Sequence, residues 1–137
     1  MKLGWIDVAS YLTYLAFFGF TVIAGPRDAL WLVALCLSAV CFVLWVVARL
    51  QLGDAFTVGA EAHTLVTQGL YSKIRHPIYV FGTLAFLFVV LALLGWSALG
   101  IWLIVILVQV ARARREDRVL AETFGAEYAA YRSRTWF

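Results

Sequence analysis

The sequence predicts an all-α integral membrane protein of about four transmembrane helices, with a cytoplasmic polar loop, an amphipathic C-terminal helix and no Rossmann domain. Three observations carry this. Of 137 residues, 64% are hydrophobic and 14% charged, and the mean hydropathy is +0.91. Soluble domains hold about 45–50% apolar and about 25% charged residues, and a chain this small has too little interior to hide the excess from water. Charge-free runs at 8–26, 29–48 and 78–111 alternate with polar ends. About 20 apolar residues in a helix cross the roughly 30 Å hydrocarbon core. Finally, four spans put Lys2, Arg49, Lys73, Arg75 and the tail arginines on one side and Arg27 alone on the other. Basic loops stay inside, so the polar loop and tail are expected in the cytoplasm.

Taken in order, 1–50 reads as an N-terminal helical pair, 51–77 as a polar loop, 78–115 as a helical hairpin and 116–137 as an amphipathic tail, all in one membrane domain. The first run lacks a small-x-small cleavage site and reads as a retained span. Gly25-Pro26-Arg27-Asp28 is a tight turn, after which 29–48 returns across the membrane until Arg49. Residues 49–75 are too polar to span and too long for a minimal connector. As a single helix, 78–111 would be about 50 Å long. Gly95-Trp96-Ser97-Ala98-Leu99-Gly100 interrupts it, giving arms near 78–95 and 98–115 whose flanking arginines snorkel to the interface. Beyond Arg112 an apolar stripe of Val119, Leu120 and Phe124 is expected to end at a Gly125 cap. Tyr128, Tyr131 and Trp136 then belong at the membrane–water boundary.

Several function classes are disfavoured. Cys36 and Cys41 lie five apart on different helix faces, with no His or Cys cluster near them, so neither a disulfide nor a metal site is expected. Arg112, Arg114, Arg115 and Arg118 directly follow a membrane run, which matches anionic headgroups rather than nucleic acid. There is no Gly-x-Ser-x-Gly elbow, phosphate-cradling Gly-rich loop or His-Glu-x-x-His.

What remains is a polar constellation. In His76-Pro77-Ile78-Tyr79, proline suits the first helical turn, and the unpaired N–H groups there favour an anion. His76 and Tyr79, one turn apart, can reach one ligand, or they are simply an interfacial helix start. Arg112 and Glu116 share a helix face at i,i+4. They form either an ion pair at the membrane boundary or the mouth of a site where Arg112 binds a substrate anion. His63-Thr64-Leu65-Val66 reveals nothing by chemistry alone.

Together these stretches resemble the isoprenylcysteine carboxyl methyltransferase family and its phospholipid-methyltransferase relatives. The match runs through about residues 49–134: His63-Thr64-Leu65-Val66-Thr67 with Gly69 and Tyr71, Arg75-His76-Pro77-x-Tyr79, then Arg112, Glu116-Asp117, Leu120, Phe124-Gly125-x-Glu127-Tyr128, Tyr131 and Arg134. The resemblance implies S-adenosylmethionine in a cytoplasmic-side pocket. His63, Thr64, Leu65 and Val66 would contact it, Tyr71, His76, Pro77, Ile78 and Tyr79 would complete the cradle, and Glu116 would close it. Arg112 would handle the acceptor's anionic group, so Arg112 and Glu116 are the expected catalytic pair. A lipophilic acceptor would enter sideways from the bilayer. The chain departs from the family pattern with Leu70 where proline is common, Phe81-Gly82 where glycine usually comes first, and Asp117 for a second glutamate.

The expected function is therefore S-adenosylmethionine-dependent methyl transfer, at the cytoplasmic face, to a lipophilic or small acceptor such as an isoprenylcysteine carboxylate. Phospholipid amines and small thiols stand as alternative acceptors. An NADPH-dependent membrane reductase and a non-enzymatic membrane module are the other readings. Membrane lipids are expected partners, and the sequence leaves the oligomeric state open.

Overall fold

A computed structural model describes residues 5–53 and 65–136, without the side chains of Ile6 and Asp7. Expected cofactor contacts His63 and Thr64 lie outside the described residues. Four α-helices follow one another: α1 (Trp5–Ala24), α2 (Ala29–Leu52), α3 (Pro77–Leu94) and α4 (Ala98–Arg132). Short 3-10 turns at Gly69–Ser72 and Gly95–Ser97 precede α3 and α4. No strand occurs among the described residues.

The turn at Gly25–Asp28 forms as the residues dictate. Arg27 adopts a positive φ of 58°, and the Asp28 carboxylate accepts from the Trp31 N–H at 2.7 Å, capping α2. Two helical stretches, Ala29–Leu52 and Pro77–Arg132, are long and apolar enough to cross a membrane, and Val8–Ala24 is a shorter apolar helix. Large apolar side chains on α1, α2 and α4, among them Phe20, Val33, Leu103 and Ile104, point outward. An apolar exterior of this extent needs a lipid environment.

The core is a seam between α2 and α3, set by small side chains. Ala34, Ser38, Ala48, Gly82, Ala85 and Ala92 are all buried. Such residues let helix backbones approach closely, which replaces the hydrophobic drive that is missing in lipid. A Cβ on Gly82 would stand 3.2 Å from the Trp45 ring. The glycine displaced by one position from the family pattern therefore still serves as a close-packing point. Tyr14 ties α1 to this seam. Its ring stacks on Phe42 at 4.2 Å, and its hydroxyl pairs with Ser38 Oγ at 2.7 Å. Ser38 Oγ in turn donates to the Ala85 carbonyl at 2.7 Å. One hydroxyl thus links three helices. Cys41 is buried beside Tyr14 and Cys36 is exposed, both as free thiols.

The hairpin breaks at Gly95, as expected, but α4 does not end near 115. It continues to Arg132 with one non-helical residue, Gly125, at φ 49° and ψ −116°. Arg112 to Arg118 keep helical geometry, so the amphipathic tail is the same helix extended. Gly125 ends the helical run as expected, in the positive-φ conformation that also closes α2 at Gly53 and α3 at Gly95, and the chain re-enters a helix after the bend.

Ser38→Ala leaves the Tyr14 hydroxyl buried without its partner. An unpaired buried hydroxyl costs about 1–3 kcal/mol, so the unfolding midpoint of the detergent-solubilised variant should fall by several degrees. An unchanged midpoint would show that the three-helix link carries no stability.

Candidate active site

The site forms where the chain before α3 meets the second half of α4. Pro77 opens α3 and leaves His76 at its N-cap, so the imidazole points back toward α4. There His76 lies between two neighbouring carboxylates. Nε2 is 2.8 Å from Asp117 Oδ1 and Nδ1 is 3.6 Å from Glu116 Oε2. The Tyr79 ring stacks on His76, with centroids 5.7 Å apart, and the Glu116 carboxylate lies near its phenol. Arg112 sits over the other part of this cluster, 5.6 Å from the Tyr79 ring centre. The i,i+4 residues Arg112 and Glu116 therefore converge on Tyr79, and no ion pair joins them.

Asp117 is the hub. It accepts from His76 and from the Tyr128 hydroxyl, and Arg75 Nη1 stands 3.5 Å from its second oxygen. The Gly125 bend makes the Tyr128 contact possible, since it turns the helix end back toward Asp117. Two further bonds fasten the returning segment to the polar loop. Tyr131 donates to the Tyr71 carbonyl at 2.7 Å, and the Trp136 N–H donates to the Lys73 carbonyl at 2.9 Å. Tyr128 and Tyr131 are thus buried inside the protein, 2% and 7% exposed.

These contacts fix protonation. Burial alone disfavours the His76 imidazolium, but Glu116 first and Asp117 second outweigh it, and its pKa rises above 6.5. Burial would raise the Asp117 carboxyl, yet hydrogen bonds from Tyr128 and His76, with Arg75 nearby, hold it below 3.8. Burial and then the Glu116 charge push the Tyr71 phenol upward.

A cavity of about 500 Å³ opens between α3 and α4 beside this network. One end carries Arg75, His76, Tyr79, Arg114, Asp117 and Arg132. Its walls are apolar, from Val80, Leu84, Ile106 and Val110, with Thr83, Gln109 and Trp102 further along. Gln109 Nε2 donates to Thr83 Oγ1 at 3.2 Å, while Gln109 Oε1 and Trp102 Nε1 are buried with no partner. Leu65 and Val66 line a second cavity, of about 490 Å³, with Gln51, Thr67, Gln68 and Gly69. Gln51 Oε1 accepts from the Leu70 N–H at 2.8 Å, which ties this loop to the end of α2.

Of the expected site residues, Tyr71, His76, Tyr79, Arg112 and Glu116 therefore gather at one place. Leu65 and Val66 border the second cavity, and Pro77 and Ile78 begin α3 without lining either. Asp117 and Arg75 were part of the matched motifs without a role of their own, and Arg132 and Gln109 were not singled out. Gln109 was visible as the sole amide in a charge-free run, whereas the Asp117 contacts span 41 residues to His76 and leave no local signal.

The sequence profile of the phospholipid methyltransferase family matches residues 31–127. The chain belongs to this family. The matched stretch takes in α2, the described loop, α3 and most of α4, so every side chain of the His76–Asp117 cluster except Tyr128 falls within it. No curated protein matches the chain significantly. Family and apolar helices together make this a membrane protein of the methyltransferase class.

Because folding raises the His76 pKa, its contribution to stability is complete below about 6.5 and is lost as pH rises through the higher folded value. The wild-type unfolding midpoint should therefore decline as pH rises above about 6.5, and His76→Gln should flatten that part of the profile. Identical slopes for the two proteins would exclude the clamp. Asp117 acts in the opposite sense, and its contribution disappears as pH falls through a value below 3.8.

Proposed function

We propose that the protein transfers a methyl group from S-adenosylmethionine to a lipophilic acceptor at the cytoplasmic face of the membrane. The observation that carries this is the cavity between α3 and α4, which is polar at the His76–Asp117 end and apolar along its walls. That is the shape of an amphiphile lying with its head at the interface and its tail toward the bilayer. Membrane methylation of a lipid needs such a sideways entry.

The residues beside this cavity fit the cofactor. The Glu116 carboxylate and the faces of Tyr79 and Tyr71 favour a cationic group, and the Glu116 oxygens can also accept from hydroxyls. Arg112 offers a donor fork to a carboxylate. When bound, S-adenosylmethionine supplies the activated methyl on its sulfonium. The chain's own work is then placement and exclusion of water. Tyr79 and Glu116 hold the donor's neighbourhood, and the Tyr128–Asp117–His76 network holds α4 against α3. Both His76 nitrogens face carboxylates, so His76 is a positioning residue, not a general base. This favours an acceptor that is already anionic, such as a lipid carboxylate. The family's name favours the second reading, a phospholipid headgroup amine, in which the proton leaves through Glu116 or water.

The topology we infer is multi-pass. The Trp136–Lys73 and Tyr131–Tyr71 bonds join the tail to the polar loop at one end of the bundle. Lys73, Arg75 and the tail arginines share that end, so it is the cytoplasmic one.

Isothermal titration of detergent-purified protein with S-adenosylhomocysteine tests the reading. Wild type should bind, and Glu116→Ala should bind about tenfold more weakly or worse, as befits loss of a charged hydrogen-bond partner. Absence of heat with wild type, or unaltered affinity in the variant, would remove the cofactor assignment.

A further inference from the structure

We propose that Arg75, Arg114 and Arg132 form the subsite that holds the acceptor's anionic group. Arg112, the arginine expected to do this, lies over the Tyr79 ring and does not line the α3–α4 cavity. The inference rests on reading that cavity as the acceptor site.

The three guanidinium groups border one end of the cavity with a single aspartate among them. Asp117 is already shared between His76, Tyr128 and Arg75. Arg75 is 16% exposed, and its Nε and Nη1 have no hydrogen-bond partner. Apart from the 3.5 Å approach of Nη1 to Asp117, this half-buried guanidinium has donors that nothing accepts, which is costly unless a ligand does. Among the described residues, Arg114 and Arg132 have no salt-bridge partner at all. Three positive forks around one committed carboxylate leave a surplus of positive charge, which an oxyanion would balance with bidentate geometry.

Backbone shape supports the same conclusion. In a straight helix, Arg114 and Arg132 would lie about 27 Å apart along the axis. The Gly125 bend returns the end of α4, so both line one cavity. The oxyanion sits where the apolar walls begin, which fits an anion joined to a lipid chain. Two sources offer that chemistry, the phosphodiester of a phospholipid and the carboxylate of a prenylcysteine-type amphiphile.

Native mass spectrometry of the full-length protein, without cofactor, measures lipid retention directly. The probes are a phosphatidylethanolamine, a farnesylated N-acetylcysteine and a neutral diacylglycerol. Wild type should retain at least one oxyanion-bearing probe about tenfold over the diacylglycerol, and Arg114→Gln/Arg132→Gln should remove that preference. Arg115→Gln, an exposed neighbour that does not line the cavity, should keep it. The oxyanion-bearing probe that loses its preference in the double variant identifies the source. Arg75→Gln should act likewise; since it also strips Asp117 of a partner, its unfolding midpoint is read alongside. Equal retention of charged and neutral probes by wild type, or an undiminished preference in the double variant, overturns the subsite. Methyl transfer is scored separately with the same probes. Arginine-dependent retention without transfer would leave the subsite standing and fell the reaction, and transfer without arginine dependence would do the reverse.

Discussion

The Asp117 carboxylate is the point on which this molecule depends. It receives the imidazole from the start of α3, the phenol from beyond the α4 bend and the guanidinium from the polar loop. Each donor comes from a different part of the chain, and each on its own would be a half-buried polar group in a largely apolar protein. Joined at one acceptor they satisfy one another, and a satisfied polar cluster fixes geometry where dispersion alone would allow sliding. The membrane-embedded portion is fastened differently. There Ser38 links α1, α2 and α3 through a hydroxyl chain, and small side chains do the rest. The protein thus has a packed apolar half and a hydrogen-bonded polar half, and α3 runs from one to the other.

Glu116 and Asp117 are neighbours with separate work. Asp117 is consumed in holding the fold, whereas Glu116 faces the Tyr79 hydroxyl and His76 Nδ1 at a longer distance. A carboxylate pair at consecutive helical positions points about 100° apart around the helix. One member can therefore brace the structure while the other stays available to a ligand. The replacement of a second glutamate by Asp117 suits that division, since a shorter side chain holds its partners with less freedom.

Much of the scaffold was legible because its causes are local. Apolar run length marked the helices, Asp28 and Pro77 marked two helix starts, and Gly95 marked the break in the hairpin. The convergence of Tyr79 with Glu116 followed from two motifs lying at one end of adjacent helices. Gly125 was legible as a stop, whereas the second helical stretch that follows it at an angle left no local signal. Tyr128 and Tyr131 were read as boundary residues by their chemistry, and their burial within the protein beyond the bend left no local signal. Arg112 was given the anion by its motif position, and its stacking on Tyr79 depends on the rotation of α4 against α3, which no local pattern encodes.

The Thr83–Gln109 contact has a consequence for motion. An amide carbonyl and the Trp102 indole N–H are left without partners in the seam between α3 and α4, while the α2–α3 seam is closed by small residues and a shared hydroxyl. Beyond the His76–Asp117 clamp, separating the apolar stretches of α3 and α4 sacrifices few polar contacts and gives those orphaned atoms room to find other company. The bundle is therefore least tightly joined along its apolar α3–α4 seam, and the Asp117 cluster anchors one end of that line.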